Sequence, residues 1–289
     1  MTKPSESRLS VNDGTELFMR DWFIAAPDDH PDHHDEYAAQ PCIVIMHGLG
    51  EHCGRYQHVA AFLNSCGFSV RTYDHRGHGQ SGGARADMPD AMSIVHDAEI
   101  IIHDFAERCQ SMPILLGHSM GGLFAAHIAT AAQVPLRGLI LSSPALALRL
   151  TRLDRFFLRF MSFAAPHFAI SNNLDSALLS HDSAVCSAYD NDPLVHRKIT
   201  ASLLNGMLQS ISYAQTHAPL LTIPTLLLVA GDDRLIDPQG SHDFFDSLPI
   251  NIGTAHFYPD LYHEIFNESN AAPVFHDLQT WLAARAFIT

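Results

Sequence analysis

The sequence predicts an α/β protein: a mostly parallel central sheet with helices on both faces, interrupted by a helical insertion. Three observations predict it. Short apolar runs alternate with helix-length segments, which implies right-handed βαβ units. A serine flanked by glycines, Gly117-His118-Ser119-Met120-Gly121, stands where an apolar run gives way to a run of small residues. A long helix-like stretch separates the fourth apolar run from the fifth.

Taken in chain order, Glu6–Ile24 carries the turn signal Asp13-Gly14 between two runs and reads as a hairpin on the edge of the sheet. Cys42–Met46, Phe68–Tyr73, Ile114–Leu116 and Leu139–Ser142 have the length and composition of buried parallel strands. Tyr56–Cys66, Ala91–Cys109 and Gly122–Ala132 are the helical segments between them. Two more strands, Thr225–Ala230 and Thr254–Tyr258, flank the helix-like Gln239–Leu248, and Val274–Phe287 supplies a closing helix. The expected division is a catalytic core of residues 1–145 and 220–289 and a helical cap of residues 146–219. Ligands of open α/β sheets bind outside the carboxyl ends of the strands, so an insertion at that end would cover the site.

At 289 residues with 47% hydrophobic content, the chain is long enough for one large core. Its formal net charge of −14 argues against nucleic acid, whose affinity rests on Lys and Arg neutralising phosphates. Residues Met1–Trp22 are polar with both charge signs and lack the apolar core of a secretory signal. Nothing reaches the run of about 20 apolar residues that spans a bilayer; Leu220–Ala230 comes nearest and is broken by Pro224. Five scattered cysteines, Cys42, Cys53, Cys66, Cys109 and Cys186, have no metal-type spacing, which points to a reduced, cytoplasmic protein. The stretch Asp28–Glu36 is rich in Asp and His but has no ordered ligand spacing, so it reads as a solvated acidic loop and no metal is expected.

The serine context carries the chemistry. A strained strand-to-helix turn exposes a serine Oγ beside the N–H groups that open the helix, and the flanking glycines let strand and helix pass closely. Such a nucleophile needs a base and an acid to orient it, in the chain order Ser, Asp or Glu, His. After Thr225–Ala230, Gly231-Asp232-Asp233-Arg234 and Asp237 offer three carboxylates, of which Asp233 is chosen. After Thr254–Tyr258 comes His263; His256 falls within the strand and His276 in the closing helix. The oxyanion donors are expected to be the backbone N–H of Met120 and of Leu49, the latter in the loop His47-Gly48-Leu49-Gly50. Asp74–Ser81, dense in polar groups, reads as a tight turn bracing that loop. Acyl transfer by this route needs no cofactor.

The segments His47–Tyr56 (HGLGEHCGRY), Asp74–Gly82 (DHRGHGQSG), Gly117–Gly122 (GHSMGG), Gly231–Asp237 (GDDRLID) and Tyr258–Glu264 (YPDLYHE) resemble the monoacylglycerol lipase and lysophospholipase group of α/β-hydrolases, which shades into serine aminopeptidase-like members. The resemblance implies the α/β-hydrolase fold and hydrolysis of an acyl ester, of a monoacylglycerol or similar single-chain lipid, through an acyl-enzyme on Ser119. Lysophospholipase and broad carboxylesterase activity are the alternatives. A non-catalytic ligand receptor would lack reason to keep the full set of reacting groups. The serine also excludes the haloalkane dehalogenases and epoxide hydrolases of this fold, which use an aspartate there. The positions matching those that recognise glycerol are Glu51, Arg55 and Tyr189; an ion pair of Glu51 with Arg55 bracing the loop is their other use. Some relatives carry a second histidine one helical turn after the base, where this chain has Phe266. An aminopeptidase would need a carboxylate in the insertion for the free amine, for which Asp175, Asp182 and Asp190 are the candidates.

Between Arg149 and Phe163, Leu150, Leu153, Phe156, Phe157 and Phe160 recur at helical spacing, with Arg152, Arg155 and Arg159 on an adjoining stripe. The expectation is an apolar face packed on the core with solvated arginines. Peripheral contact of that basic edge with a membrane or lipid aggregate is the competing use.

Overall fold

The computed structural model describes residues 3–24, 39–285 and 287. The acidic stretch Asp28–Glu36 lies outside them. Eight strands form one sheet: β1 (Ser5–Ser10), β2 (Glu16–Trp22), β3 (Cys42–Met46), β4 (Ser69–Tyr73), β5 (Ile114–His118), β6 (Gly138–Ser142), β9 (Thr225–Ala230) and β10 (Gly253–Tyr258). Their spatial order is β1-β2-β4-β3-β5-β6-β9-β10. The hairpin β1–β2 is antiparallel and β2 joins β4 antiparallel, while every pair from β4 to β10 is parallel. This is the α/β-hydrolase architecture that the sequence predicts.

Each parallel strand reads as an unbroken apolar run because both of its faces are covered. Successive side chains point to opposite faces. Cys42, Val44 and Met46 of β3 accordingly enter one core, under α2 (Ser93–Cys109) and α3 (Met120–Ala131), together with Leu115, Leu139, Leu141 and Leu227. Ile43 and Ile45 enter the other, under α1 (Gln57–Ser65) and α8 (Ala272–Ala284), with Leu116, Ile140, Leu226 and Leu228. Helix α7 (Gln239–Ser247) lies between β9 and β10 in sequence and buries Phe244 in the first core.

Between β6 and β9 the chain leaves the sheet for α4 (Arg152–Ala164), α5 (Ser183–Asn191), α6 (Ala201–His217) and a two-residue antiparallel pair, β7 (Ile170–Ser171) with β8 (Lys198–Ile199). Helix α6 packs on α3, where Tyr213 stacks on His127 at 4.3 Å and Ser210 Oγ lies 3.0 Å from His127 Nδ1.

Helix α4 corrects one expectation. It opens on a capping box, Thr151 with Asp154, but only Leu158 on it is buried. Leu153, Phe156, Phe160 and Phe163 are 74%, 71%, 58% and 92% exposed. Phe157, Leu158 and Met161 face a cavity inside the protein, whereas the other four project outward. The apolar arc is wider than the roughly 100° that one packed face covers. Its outer edge is left in solvent beside the exposed Arg152, Arg155 and Arg159.

Candidate active site

Strand β5 ends at His118 and α3 begins at Met120, which leaves Ser119 alone at the turn with φ 54° and ψ −119°. A positive φ at a residue with a Cβ costs on the order of 1–3 kcal/mol, and the surroundings impose it. Ser119 N–H donates to the Ser142 carbonyl at 3.0 Å. A Cβ on Gly117 would run into the backbone of Gly121, and one on Gly121 into the carbonyls of Met46 and His47. The strand-to-helix turn closes only because both positions are glycine.

Three chain segments meet at this serine. His263, in the loop after β10, places Nε2 2.8 Å from Ser119 Oγ. Its Nδ1 lies 2.6 Å from Asp233 Oδ2, and Asp233 follows β9. Asp233 Oδ1 accepts from Leu235 N–H at 3.0 Å and Ile236 N–H at 3.1 Å. Burial pushes the Asp233 carboxyl up, but the His263 charge and hydrogen bond and the two backbone donors outweigh it and hold the group below the usual carboxylate range. Asp232 instead points to solvent and pairs with Arg234 at 2.7 Å, and Asp237 accepts from Gln239 N–H at 3.2 Å.

Burial would lower the His263 imidazole, yet the Asp233 charge and hydrogen bond, helped by Glu264 and Glu51, raise it above its ordinary value. A base must be neutral to take a proton, so the activity of this constellation is expected to be lost as pH falls through a value above about 6.5. The measurement is kcat/KM for a soluble short-chain ester on folded protein. A profile flat down to about pH 5 would contradict it.

Met120 opens α3, so its N–H is one of those a helix leaves without an intrahelical partner. Leu49 faces the same cavity from the loop after β3, where Gly50 takes φ +80° and accepts from His196 N–H at 2.8 Å. The turn after β4 braces that loop: His75 N–H donates to His47 Nε2 at 3.0 Å, and Asp74 accepts from Cys53 N–H and Gln80 N–H, each at 2.7 Å.

Glu51, Arg55 and Tyr189 also converge. Glu51 Oε1 accepts from Gly48 N–H at 2.6 Å and Tyr56 O–H at 2.7 Å, and Oε2 pairs with Arg55 at 2.7 Å. Arg55 lies 4.9 Å from the centre of the Tyr189 ring and pairs bidentately with Glu264 at 2.5 and 2.7 Å. Glu51, Tyr189 and Glu264 line the cavity. The Tyr189 hydroxyl is buried and has no hydrogen-bond partner among the described residues.

Sequence reasoning missed Glu264. Its neighbour His263 drew attention to the loop, but its partner Arg55 is 209 positions earlier and no local pattern announces that link. The ring of His118 lies 4.8 Å from that of His263; burial pushes it down to about 4, so it is neutral near pH 7. Phe266 is buried in the second core.

The cavity above Ser119 measures about 610 Å³. Leu148, Phe157, Leu158, Met161, Leu204 and Met207 give it an apolar wall drawn from residues 146–219. Asp175 lines it while capping Ala177 N–H; Asp182 caps α5, and Asp190 pairs with Arg197. Among the described residues there is no cluster of His, Cys, Asp or Glu fit to hold a metal ion, and no helix is long and apolar enough to cross a membrane. Chemically, a serine hydroxyl bound to an imidazole that is bound to an ionised carboxylate can pass its proton to the ring as it attacks an electrophilic carbon.

Comparison with known proteins gives concordant results. Residues 37–270 match the family described as serine aminopeptidase, S33. The chain is 34% identical over 248 residues to a monoacylglycerol lipase of Mycolicibacterium smegmatis, covering 84% of this chain and 88% of that protein. It is 31% identical over 280 residues to the monoglyceride lipase of Rattus norvegicus, covering 94% and 88%. A Dictyostelium discoideum abhydrolase domain-containing protein is 32% identical over 269 residues, covering 91% of this chain, which spans only 27% of that longer protein. The crystal structure of the Paleococcus ferrophilus monoacylglycerol lipase superposes with a TM-score of 0.80 at 30% identity, covering 93% of this chain and 99% of that one.

Proposed function

Because the chain belongs to the serine aminopeptidase (S33) family of α/β-hydrolases, we propose that it is a serine hydrolase that cleaves carboxylic esters of single-chain lipids, monoacylglycerols first among them. The observation that carries this reading is the unbroken relay from Asp233 through His263 to Ser119, at 2.6 and 2.8 Å, on the floor of an apolar-walled cavity.

In this reading Ser119 Oγ attacks the ester carbonyl while His263 takes its proton. The N–H groups of Leu49 and Met120 hold the oxyanion of the tetrahedral intermediate, a pair in which each donor is worth about 3–4 kcal/mol. His263 then returns the proton to the leaving glycerol oxygen, and water, activated by the same imidazole, releases the fatty acid from the acyl-enzyme. Residues 146–219 act as a cap whose apolar wall takes the acyl chain. The unpartnered Tyr189 hydroxyl, beside Glu51, is the group suited to the glycerol hydroxyls, since a buried polar group without a partner is costly. The exposed Leu153, Phe156, Phe160 and Phe163, with Arg152, Arg155 and Arg159 alongside, form a surface for peripheral docking on anionic lipid.

A chain-length series tests this reading. Each buried methylene is worth at most about 0.8 kcal/mol, and the gain reaches kcat/KM when the contacts persist in the transition state. We expect kcat/KM to rise from butyryl to octanoyl or decanoyl esters of glycerol and to exceed that of the corresponding amides. Activity that peaks at acetyl or butyryl esters would make the protein a small-ester carboxylesterase. In a second arm, replacing Arg152, Arg155 and Arg159 by Gln should weaken binding to anionic vesicles and leave turnover of a soluble short ester unchanged; undiminished binding would remove the docking role.

A further inference from the structure

Glu51 and Glu264 bring two carboxylates to the cavity wall beside the nucleophile, and one guanidinium, Arg55, lies between them. A Cβ on Gly48 would lie 2.8 Å from Glu51 Oε1 and 3.2 Å from Ser119 Cβ, which measures how near the first carboxylate is to the reacting serine. Arg55 holds Glu264 ionised: burial raises that carboxyl, and the guanidinium's charge and hydrogen bonds bring it below its ordinary value. The same two carboxylates keep Arg55 charged against the effect of burial. By formal charge, two carboxylates therefore share one guanidinium. His118, neutral near pH 7, adds no positive charge, and Arg197, 5.9 Å from the centre of the Tyr189 ring, is paired with Asp190. The wider lining agrees in sign, with Glu51, Asp154, Asp175 and Glu264 facing Arg149 and Arg234.

We propose that the Glu51–Arg55–Glu264 cluster selects the substrate's alcohol by charge, admitting neutral alcohols such as glycerol and rejecting those that carry a phosphate or another anion. This rests on the ester-hydrolase reading and narrows it. The outer surface and the site then have opposite preferences: Arg152, Arg155 and Arg159 attract an anionic lipid surface, while the interior refuses the anionic headgroup. Like unit charges a few ångströms apart in a partly desolvated site repel strongly enough for a loss of about a hundredfold.

The test compares kcat/KM for 1-oleoylglycerol and its 3-phosphate, each at the same low mole fraction in neutral detergent micelles and at high ionic strength, so that the surface attraction added by the phosphate ester is diluted and screened. The unaltered protein is expected to favour the neutral ester about a hundredfold, and Glu264→Gln, which leaves Arg55 balanced by Glu51 alone, to narrow the gap at least about fivefold. Glu51→Gln makes the same change of charge from the other side and decides the matter should Glu264→Gln fail to fold. Turnover of p-nitrophenyl butyrate, whose alcohol resembles neither substrate, separates a loss of chemistry from a change in selection. A wild-type ratio within about threefold, or a gap unchanged in the folded variants, overturns the proposal. No turnover of any ester would overturn the hydrolase reading itself.

Discussion

Ser119→Ala is expected to leave a folded protein whose turnover of acyl esters is lower by about 10⁴- to 10⁶-fold, because nucleophile and base act as a unit and neither works alone. The substitution removes one hydrogen bond, that to His263 Nε2, and keeps the Cβ and the backbone turn. The loss in stability should be about 1 kcal/mol, a shift in melting temperature of a few degrees at most. The check is ester turnover together with a melting curve on the purified variant. Turnover like that of the wild type in folded Ser119→Ala would remove the proposed mechanism entirely.

The second large effect belongs to the acid. In Asp233→Asn the amide oxygen can still accept from Leu235 and Ile236 N–H, so the turn after β9 is kept. The amide NH₂ then faces His263 Nδ1 and donates to it, which puts the ring proton on Nε2, where it blocks acceptance of the serine proton. The expected loss is about 10⁴-fold in kcat at neutral pH. Asp232→Asn, at an exposed carboxylate paired with Arg234, should change kcat by less than about twofold. The reverse order of effects would move the acid to Asp232, and a comparable loss in Asp237→Asn would place it in the next turn.

The strands were the most legible part of the fold. β3 and β9 occupy the very residues read from their apolar runs, since a strand buried on both faces has no polar position to blur its ends. Helix α3 begins two residues earlier than its composition indicates, at Met120, because the tight turn at Ser119, and not the small-residue run from Gly122, sets its start. Helix α4 is amphipathic as its periodicity predicts, but its outer apolar edge faces solvent and not the core. Periodicity gives the angle between faces and says nothing of what lies opposite each of them. Phe157 meets the cavity and Phe156, its neighbour, meets solvent.

By itself, the sequence determined the parallel sheet, the order of its elements, the strand-to-helix turn at Ser119 and the carboxylates and imidazoles available to serve it. These depend on patterns within a few residues, where period, turn chemistry and close glycine contacts are local properties. The tertiary structure alone decided which groups meet. It set the distances from Ser119 through His263 to Asp233, the carboxylate the sequence already favours, and placed Glu51 against Gly48, Tyr56 and Arg55. It also joined Arg55 to Glu264 and left the Tyr189 hydroxyl without a partner. Those outcomes follow from the relative placement of loops after β3, β9 and β10 and of the segment after β6. That placement is fixed by packing across the whole sheet, so no window of sequence contains it.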